Sequence, residues 1–152
     1  KYQKIINSNL YDIIIWTKKD YIPAKKNPEM YGWISIKNDR IIDISIKKKP
    51  KNININSVII GTFTFRNPEI FSICLESLIK RKGKINGEYY IDSLIEDAIK
   101  LKFNCITFEV DHFVCWGTPN ELKTFKYWEN CFDKWESHPY QRTKSIWSKC
   151  LS

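Results

Sequence analysis

Runs of lysine, a glycine turn that opens a helix and a few carboxylates are the residues of this chain whose spacing could do chemistry. Lys47-Lys48-Lys49-Pro50-Lys51 and Lys80-Arg81-Lys82-Gly83-Lys84 place cations in loop-like sequence, and basic loops attract phosphates of any kind. Residues 113–122 read as a strand end, a tight turn at Gly117 and a helix start. Thr118 has N-cap chemistry, Pro119 takes the first helical position where its missing N–H costs nothing, and Glu121 can bond back to the cap. Residues 104–110 alternate with β-branched and aromatic side chains, so Cys115 and Trp116 are expected where the chain leaves a sheet. Ligands favour such sheet ends in open α/β folds. His112 and His138 are the only histidines, and neither has metal-ligand spacing. His112 and Cys115, three apart in a strand-like run, fall on opposite faces, which argues against a Cys–His nucleophile.

Elements must hold these groups in place, and the composition sets what is available. A length of 152 residues with 43% hydrophobic content is enough for one domain with a core, and 28% charged residues with abundant Ile, Tyr, Phe and Trp exclude a disordered chain. Five cysteines with no C-x-x-C pair argue against a disulfide framework or a zinc knuckle and read as reduced thiols, with Cys74 and Cys105 as small buried hydrophobes. The absence of an N-x-S/T acceptor fits the same cytoplasmic compartment. The longest apolar run, Ile13-Ile14-Ile15-Trp16, is far too short to span a bilayer, and no signal-peptide apolar region follows Lys1, so no membrane is expected as a partner. The net charge of +8 raises a nucleic-acid partner, but much of it lies in the two lysine clusters, and for the second, Lys80 to Lys84, solvated surface charge is the simpler account.

Along the chain, residues 11–17 form a strand pattern, and residues 20–28 a loop whose prolines forbid regular structure. Residues 30–36 and 40–46 pair as a hairpin around Lys37-Asn38-Asp39, and a polar stretch at 52–56 leads to a strand at 57–65. Asn67 and Pro68 start a helix with Ile70, Phe71, Cys74, Leu75, Leu78 and Ile79 on one face, ending near Gly83. Asp92 caps a second helix, a strand begins at Asn104, and a third helix carries Phe125, Trp128, Phe132 and Trp135, a stripe read as core or as the contact of a homo-oligomer. Strands alternating with helices mean an α/β fold, and the hairpin makes its β-sheet mixed, flanked by helices. Residues 137–152 are a tail with no readable motif.

Four of these segments, in order, resemble the sugar-phosphate nucleotidyltransferases, the NDP-sugar pyrophosphorylase-like family. Lys48-Lys49-Pro50 is similar to the family's E-K-P, and residues 58–65 to its glycine-then-aromatic strand. Gly87-Glu88-Tyr89-Tyr90-Ile91-Asp92 is similar to its E-x-x-I-T-D, and Gly117-Thr118-Pro119-Asn120-Glu121-Leu122 to its G-T-P-E-D-L. The resemblance implies a partial, Rossmann-like nucleotidyltransferase catalytic domain, with residues 1–136 as its acceptor-binding C-terminal half. The family's N-terminal Gly-rich phosphate loop has no counterpart, since the chain contains no G-x-G, so the chain is expected to be part of a longer protein and inactive alone. The implied activity is transfer of a nucleotidyl group from a nucleoside triphosphate to a sugar phosphate with release of pyrophosphate, for capsule or other surface polysaccharide.

By the same resemblance, Lys49 meets the sugar phosphate, Gly61 lets the backbone approach the sugar, Glu88 bonds sugar hydroxyls with Tyr89 beside it, and Cys115, Trp116, Gly117 and Thr118 line the substrate. Where the family carries an aspartate for Mg²⁺ before the G-T-P turn, this chain has Cys115, a poor ligand for a hard ion, so Asp111 is the candidate catalytic and metal-binding carboxylate. Lys48 stands where a carboxylate is expected. These two departures leave a non-catalytic regulatory or assembly subunit of the same fold as an alternative, with a basic nucleic-acid-binding domain as a third.

Overall fold

Ile13, Ile14 and Ile15 are all fully buried, so both faces of strand β1 (Ile13–Lys18) are covered. Such a strand needs neighbours on both edges and layers on both sides. The computed structural model describes residues 1–8, 10–37, 40–50 and 56–135. They fall into two compact units, Lys1–Phe113 and Val114–Ser152. The first unit holds a five-stranded sheet of β1, β2 (Gly32–Lys37), β3 (Arg40–Ile46), β4 (Ser57–Phe65) and β5 (Cys105–Glu109), in the order β3-β2-β4-β1-β5. β1 and β5 are parallel and every other pair is antiparallel, so the sheet is mixed. One rung, Ile46, Gly32, Ile59, Thr17 and Glu109, crosses all five strands.

One sheet face presents Ile13, Ile15, Ile34 and Ile59 to two helices. Asn67 starts the first, its side chain accepting from the Ile70 N–H at 3.0 Å, and Ile70, Cys74 and Leu78 turn inward. Burying each such aliphatic side chain contributes about 1.5–3 kcal/mol. The opposite face is closed by an N-terminal helix, α1 (Tyr2–Ser8), and by a short helix, α2 (Ile22–Lys26). The Tyr2 ring packs 4.8 Å from Trp16 and 5.5 Å from Phe108, and Trp16 donates its indole N–H to the Thr64 hydroxyl at 3.1 Å. Ala24 covers Trp33 and Val58, and Trp33 donates to the Pro28 carbonyl at 2.7 Å.

The helices on the first face are α3 (Pro68–Lys80) and α4 (Asp92–Lys100). Both end in the same way: Lys82 (φ 54) and Lys102 (φ 63) turn left-handed, while the Gly83 and Phe103 N–H groups reach back to the Leu78 and Ala98 carbonyls. The left-handed residue is thus lysine rather than the glycine that the sequence suggests as the stop. Arg81 stitches the pair together. Its Nε lies 2.8 Å from both carboxylate oxygens of Asp97, which is only 1% exposed and also accepts from the Ser77 hydroxyl at 3.0 Å.

Several expectations need correction. Pro23 and Pro28 do not forbid regular structure: they sit in the first turns of α2 and of a 3-10 turn at Pro28–Met30, where a missing N–H costs nothing. Asp92 is the first helical residue of α4 rather than its cap, and Ile91 holds the cap position. β5 stops at Glu109, so residues 110–117 form an irregular segment and Cys115 lies well past the sheet end. The hairpin residues Asn38 and Asp39, most of the 52–56 link and the tail at 137–152, His138 included, lie outside the described residues.

Replacing Arg81 with Met leaves the Asp97 carboxylate buried without its cation and should cost about 3 kcal/mol in urea unfolding. The double change Arg81→Met with Asp97→Leu should recover most of the loss. A single-variant cost below about 1 kcal/mol would show that the pair does not fasten the helices.

Candidate functional site

The loop Ile85-Asn86-Gly87-Glu88 is a tight reversal with φ of 51° at Asn86 and 84° at Gly87, closed by Ile85 N–H to Glu88 C=O at 2.9 Å and the reciprocal bond at 3.0 Å. Two successive positive φ values are what an Asn-Gly pair permits. The turn aims the next residues back across the sheet. Tyr90 donates to the Glu88 carboxylate at 2.7 Å, a bond that raises the Tyr90 hydroxyl above its ordinary pKa. The Lys84 ammonium stands 5.2 Å from the Tyr89 ring centre.

This loop meets the lysine cluster that follows β3. The Lys47 ammonium lies 5.3 Å from the Tyr90 ring centre and donates to the Met30 carbonyl at 3.2 Å. Asp92, closing the same loop, presses its carboxylate against Gly32, where any β-carbon would collide with it. Burial raises the Asp92 pKa, and Lys47 pulls it back in part. Lys48 and Lys49 are exposed and line a pocket of about 290 Å³ with Asp43, Ile46, Ile85 and Glu96. The segments that carry Lys49, Glu88 and Tyr89 therefore come together in the first unit, at the rim where β2 begins.

Gly61 lies on the same side of the five-strand rung as Lys47, two residues beyond Ile59. There β4 bulges, setting Ile60, Gly61 and Thr62 opposite Trp16, and Gly61 takes φ +79°. Nothing lies within 4 Å of a β-carbon built on Gly61, so its glycine is required by backbone angle rather than by crowding from the chain itself. Asp111 is elsewhere. It follows β5, whose end lies on the other side of the five-strand rung from Lys47 and Gly61. Its carboxylate is 81% exposed with Lys1 at 3.8 Å, and its carbonyl accepts from Lys18 at 3.1 Å. Among the described residues no group of three or more His, Cys, Asp or Glu converges as a metal cage. Asp111 fits at most as one exposed carboxylate for a cation brought by phosphates.

The second unit carries the Gly-Thr-Pro segment. Thr118 caps α5 (Pro119–Lys134), its hydroxyl accepting from Glu121 N–H at 3.2 Å and its own N–H donating to the Glu121 carboxylate at 3.1 Å, the reciprocal pair read from the sequence. Gly117 N–H donates to the Cys115 sulfur at 3.3 Å, and Trp116 packs 4.8 Å from Phe125. No residue of α5 is buried, so its aromatic stripe is not core: Trp128 and Trp135 are more than half exposed. Away from the site, burial pushes the thiols of Cys74 and Cys105 up to about 11 and about 12, which leaves them neutral and inert.

The sequence reading missed Gly32, Lys47, Tyr90 and Asp92 as members of this rim. The Asn86-Gly87 pair was the available signal, since it predicts the reversal that places Tyr90 and Asp92.

No protein-family profile matches this sequence, and no curated protein is similar to it. A crystal structure of a nucleoside-diphosphate-sugar pyrophosphorylase from Vibrio cholerae RC9 is similar in fold, with a TM-score of 0.62 and 16% identity over 80% of this chain and 48% of that one. The chain thus spans about half the length of that protein. At this identity the likeness is one of fold: a mixed sheet flanked by helices.

Two outcomes follow from the rim. Gly61→Ala should cost about 1 kcal/mol through its left-handed backbone alone, measured by urea unfolding; an unchanged midpoint would mean that the bulge relaxes freely. Because the folded Asp92 pKa is raised, its contribution to stability is present below the ordinary value of 3.8 and is lost as pH rises through the folded value. Asp92→Asn should therefore be more stable than the parent at neutral pH, with the gap closing toward pH 3.8, and a gap of the opposite sign would refute the assignment.

Proposed function

We propose that this chain is the acceptor-binding part of a sugar-phosphate nucleotidyltransferase that works in the cytoplasm and supplies activated sugars for capsule or other surface polysaccharide. The observation that carries the reading is the meeting of the Lys47–Lys49 segment with the Glu88–Asp92 loop at one rim of a sheet whose fold is like that of a pyrophosphorylase. In the proposed reaction an oxygen of the sugar phosphate attacks the α-phosphorus of a nucleoside triphosphate, the bond to the β-phosphate breaks, and pyrophosphate leaves. Charge on the transferring group has to be neutralised by cations.

Lys49, exposed and without an ion pair among the described residues, grips the acceptor phosphate. Glu88, held toward Tyr90, accepts from sugar hydroxyls, with Tyr89 as an adjoining wall and the Gly61 backbone at the sugar's edge. Lys47 is too committed to Met30 and Tyr90 for the first of these roles and instead fixes the loop. Asp111, away from that rim, would offer at most one exposed carboxylate to Mg²⁺ arriving with the triphosphate, an ion that would neutralise phosphate charge when bound.

A second reading, a binding or assembly subunit of the same fold without turnover, is favoured by Cys115. Its sulfur accepts the Gly117 N–H at the position where a metal-binding carboxylate is expected.

Calorimetry should detect glucose 1-phosphate binding to the 152-residue chain, weakened about tenfold by Lys49→Ala, since a charged hydrogen bond is lost. The whole gene product with a nucleoside triphosphate and Mg²⁺ should release pyrophosphate on adding a sugar phosphate. Binding without release, unchanged by Cys115→Asp, selects the second reading. Neither binding nor release with any sugar phosphate overturns both.

A further inference from the structure

The pocket between β3 and α4 brings four charges of both signs to one small space: Lys48 and Lys49, against Asp43 and Glu96. Opposite charges on flexible side chains around so small a pocket can close into ion pairs of 4 Å or less. Among the described residues no such pair crosses this one. Glu96 turns to Arg81 at 3.3 Å, and Asp43 makes neither ion pair nor side-chain hydrogen bond among those residues. Ile46 and Ile85 supply apolar wall between the charged ends. The volume, about 290 Å³, is near the lower end for small-molecule pockets.

We propose that this pocket selects an acceptor that carries a protonated amine as well as a phosphate, with the phosphate on Lys48 and Lys49 and the ammonium on Asp43. The inference rests on the reading of Lys49 as the phosphate grip and adds the chemical class of the acceptor. A dianionic phosphate takes both lysines. The Asp43 carboxylate beside it would repel a purely anionic ligand, and an ammonium group turns that repulsion into attraction. Discrimination of this kind comes from a charge left unpaired when the wrong ligand binds.

Three ligands that differ at one substituent test this by calorimetry on the 152-residue chain: glucosamine 1-phosphate, glucose 1-phosphate and N-acetylglucosamine 1-phosphate, at about pH 6, where a free amine of this kind keeps its proton. Glucosamine 1-phosphate should bind at least about fivefold more tightly than the other two. Asp43→Asn should erase that preference without weakening glucose 1-phosphate, and Asp43→Glu should retain it. Asp43 is exposed on an edge strand, so neither change threatens the fold. Equal affinity for all three ligands overturns the amine preference and leaves the proposed function standing. A preference that survives Asp43→Asn overturns the assignment to this pocket. Failure of all three to bind overturns both.

Discussion

The rim of this molecule depends on a missing side chain. Gly32 opens β2 with no β-carbon, and the Asp92 carboxylate fills the space that one would occupy. That contact seats the start of α4 against the sheet at the rung shared by Ile46 and Ile59. Once α4 starts there, the residues before it have little freedom. Tyr90 must lie near the end of β3, under the Lys47 ammonium, and the Asn-Gly reversal fixes where Glu88 stands. The cost is a carboxylate partly stripped of water, which raises its pKa, and Lys47 offsets only part of it. A small residue on a strand thus sets the geometry of a loop that is distant in sequence.

The lysines of the cluster are divided by this arrangement. Lys47 is tied to a carbonyl and an aromatic face, while Lys48 and Lys49 stay exposed beside a pocket. Position in the chain does not separate the three; the packing of the neighbouring loop does. A cation with fixed partners shapes its surroundings, whereas one without partners is available to an anion from solution. A net charge of +8 does not distinguish the two, so phosphate chemistry is a sounder inference from Lys49 than from the total charge.

Much of the fold was legible because local chemistry decided it. The Asn67 and Thr118 caps, the β2–β3 hairpin and the inward-facing Ile70, Cys74 and Leu78 of α3 stand where residue types predict them, while Ile79 of the same stripe is exposed. What failed were cases that tertiary contacts decide. α1 has no amphipathic signal of its own and is held by Tyr2 against Trp16 and Phe108. Proline was read as a breaker at Pro23 and Pro28 although each opens a helical turn. Aromatic periodicity in α5 was read as core or as an oligomer contact, and the first of these is excluded because none of its side chains is buried. In the candidate site, the sequence singled out Lys49 and Glu88 on separate segments, and the structure brings those segments together. Sequence could not identify Gly32 or Asp92, because the property that matters in each is what occupies the space beside it.

The central strand finds one of its two neighbours late. β1 lies parallel to β5, and the Asp12 side chain receives the Asn104 N–H from 92 positions further on. On the ribosome, the triple-isoleucine segment waits until the chain has been made as far as Cys105 before its second edge is covered. Loops that long slow folding and lengthen the interval in which an apolar strand is open to other chains. Lys4 precedes this segment, and Lys18 and Lys19 follow its aromatic end, so like charge repels one nascent copy from another. Part of the basic character of this chain therefore guards its own synthesis.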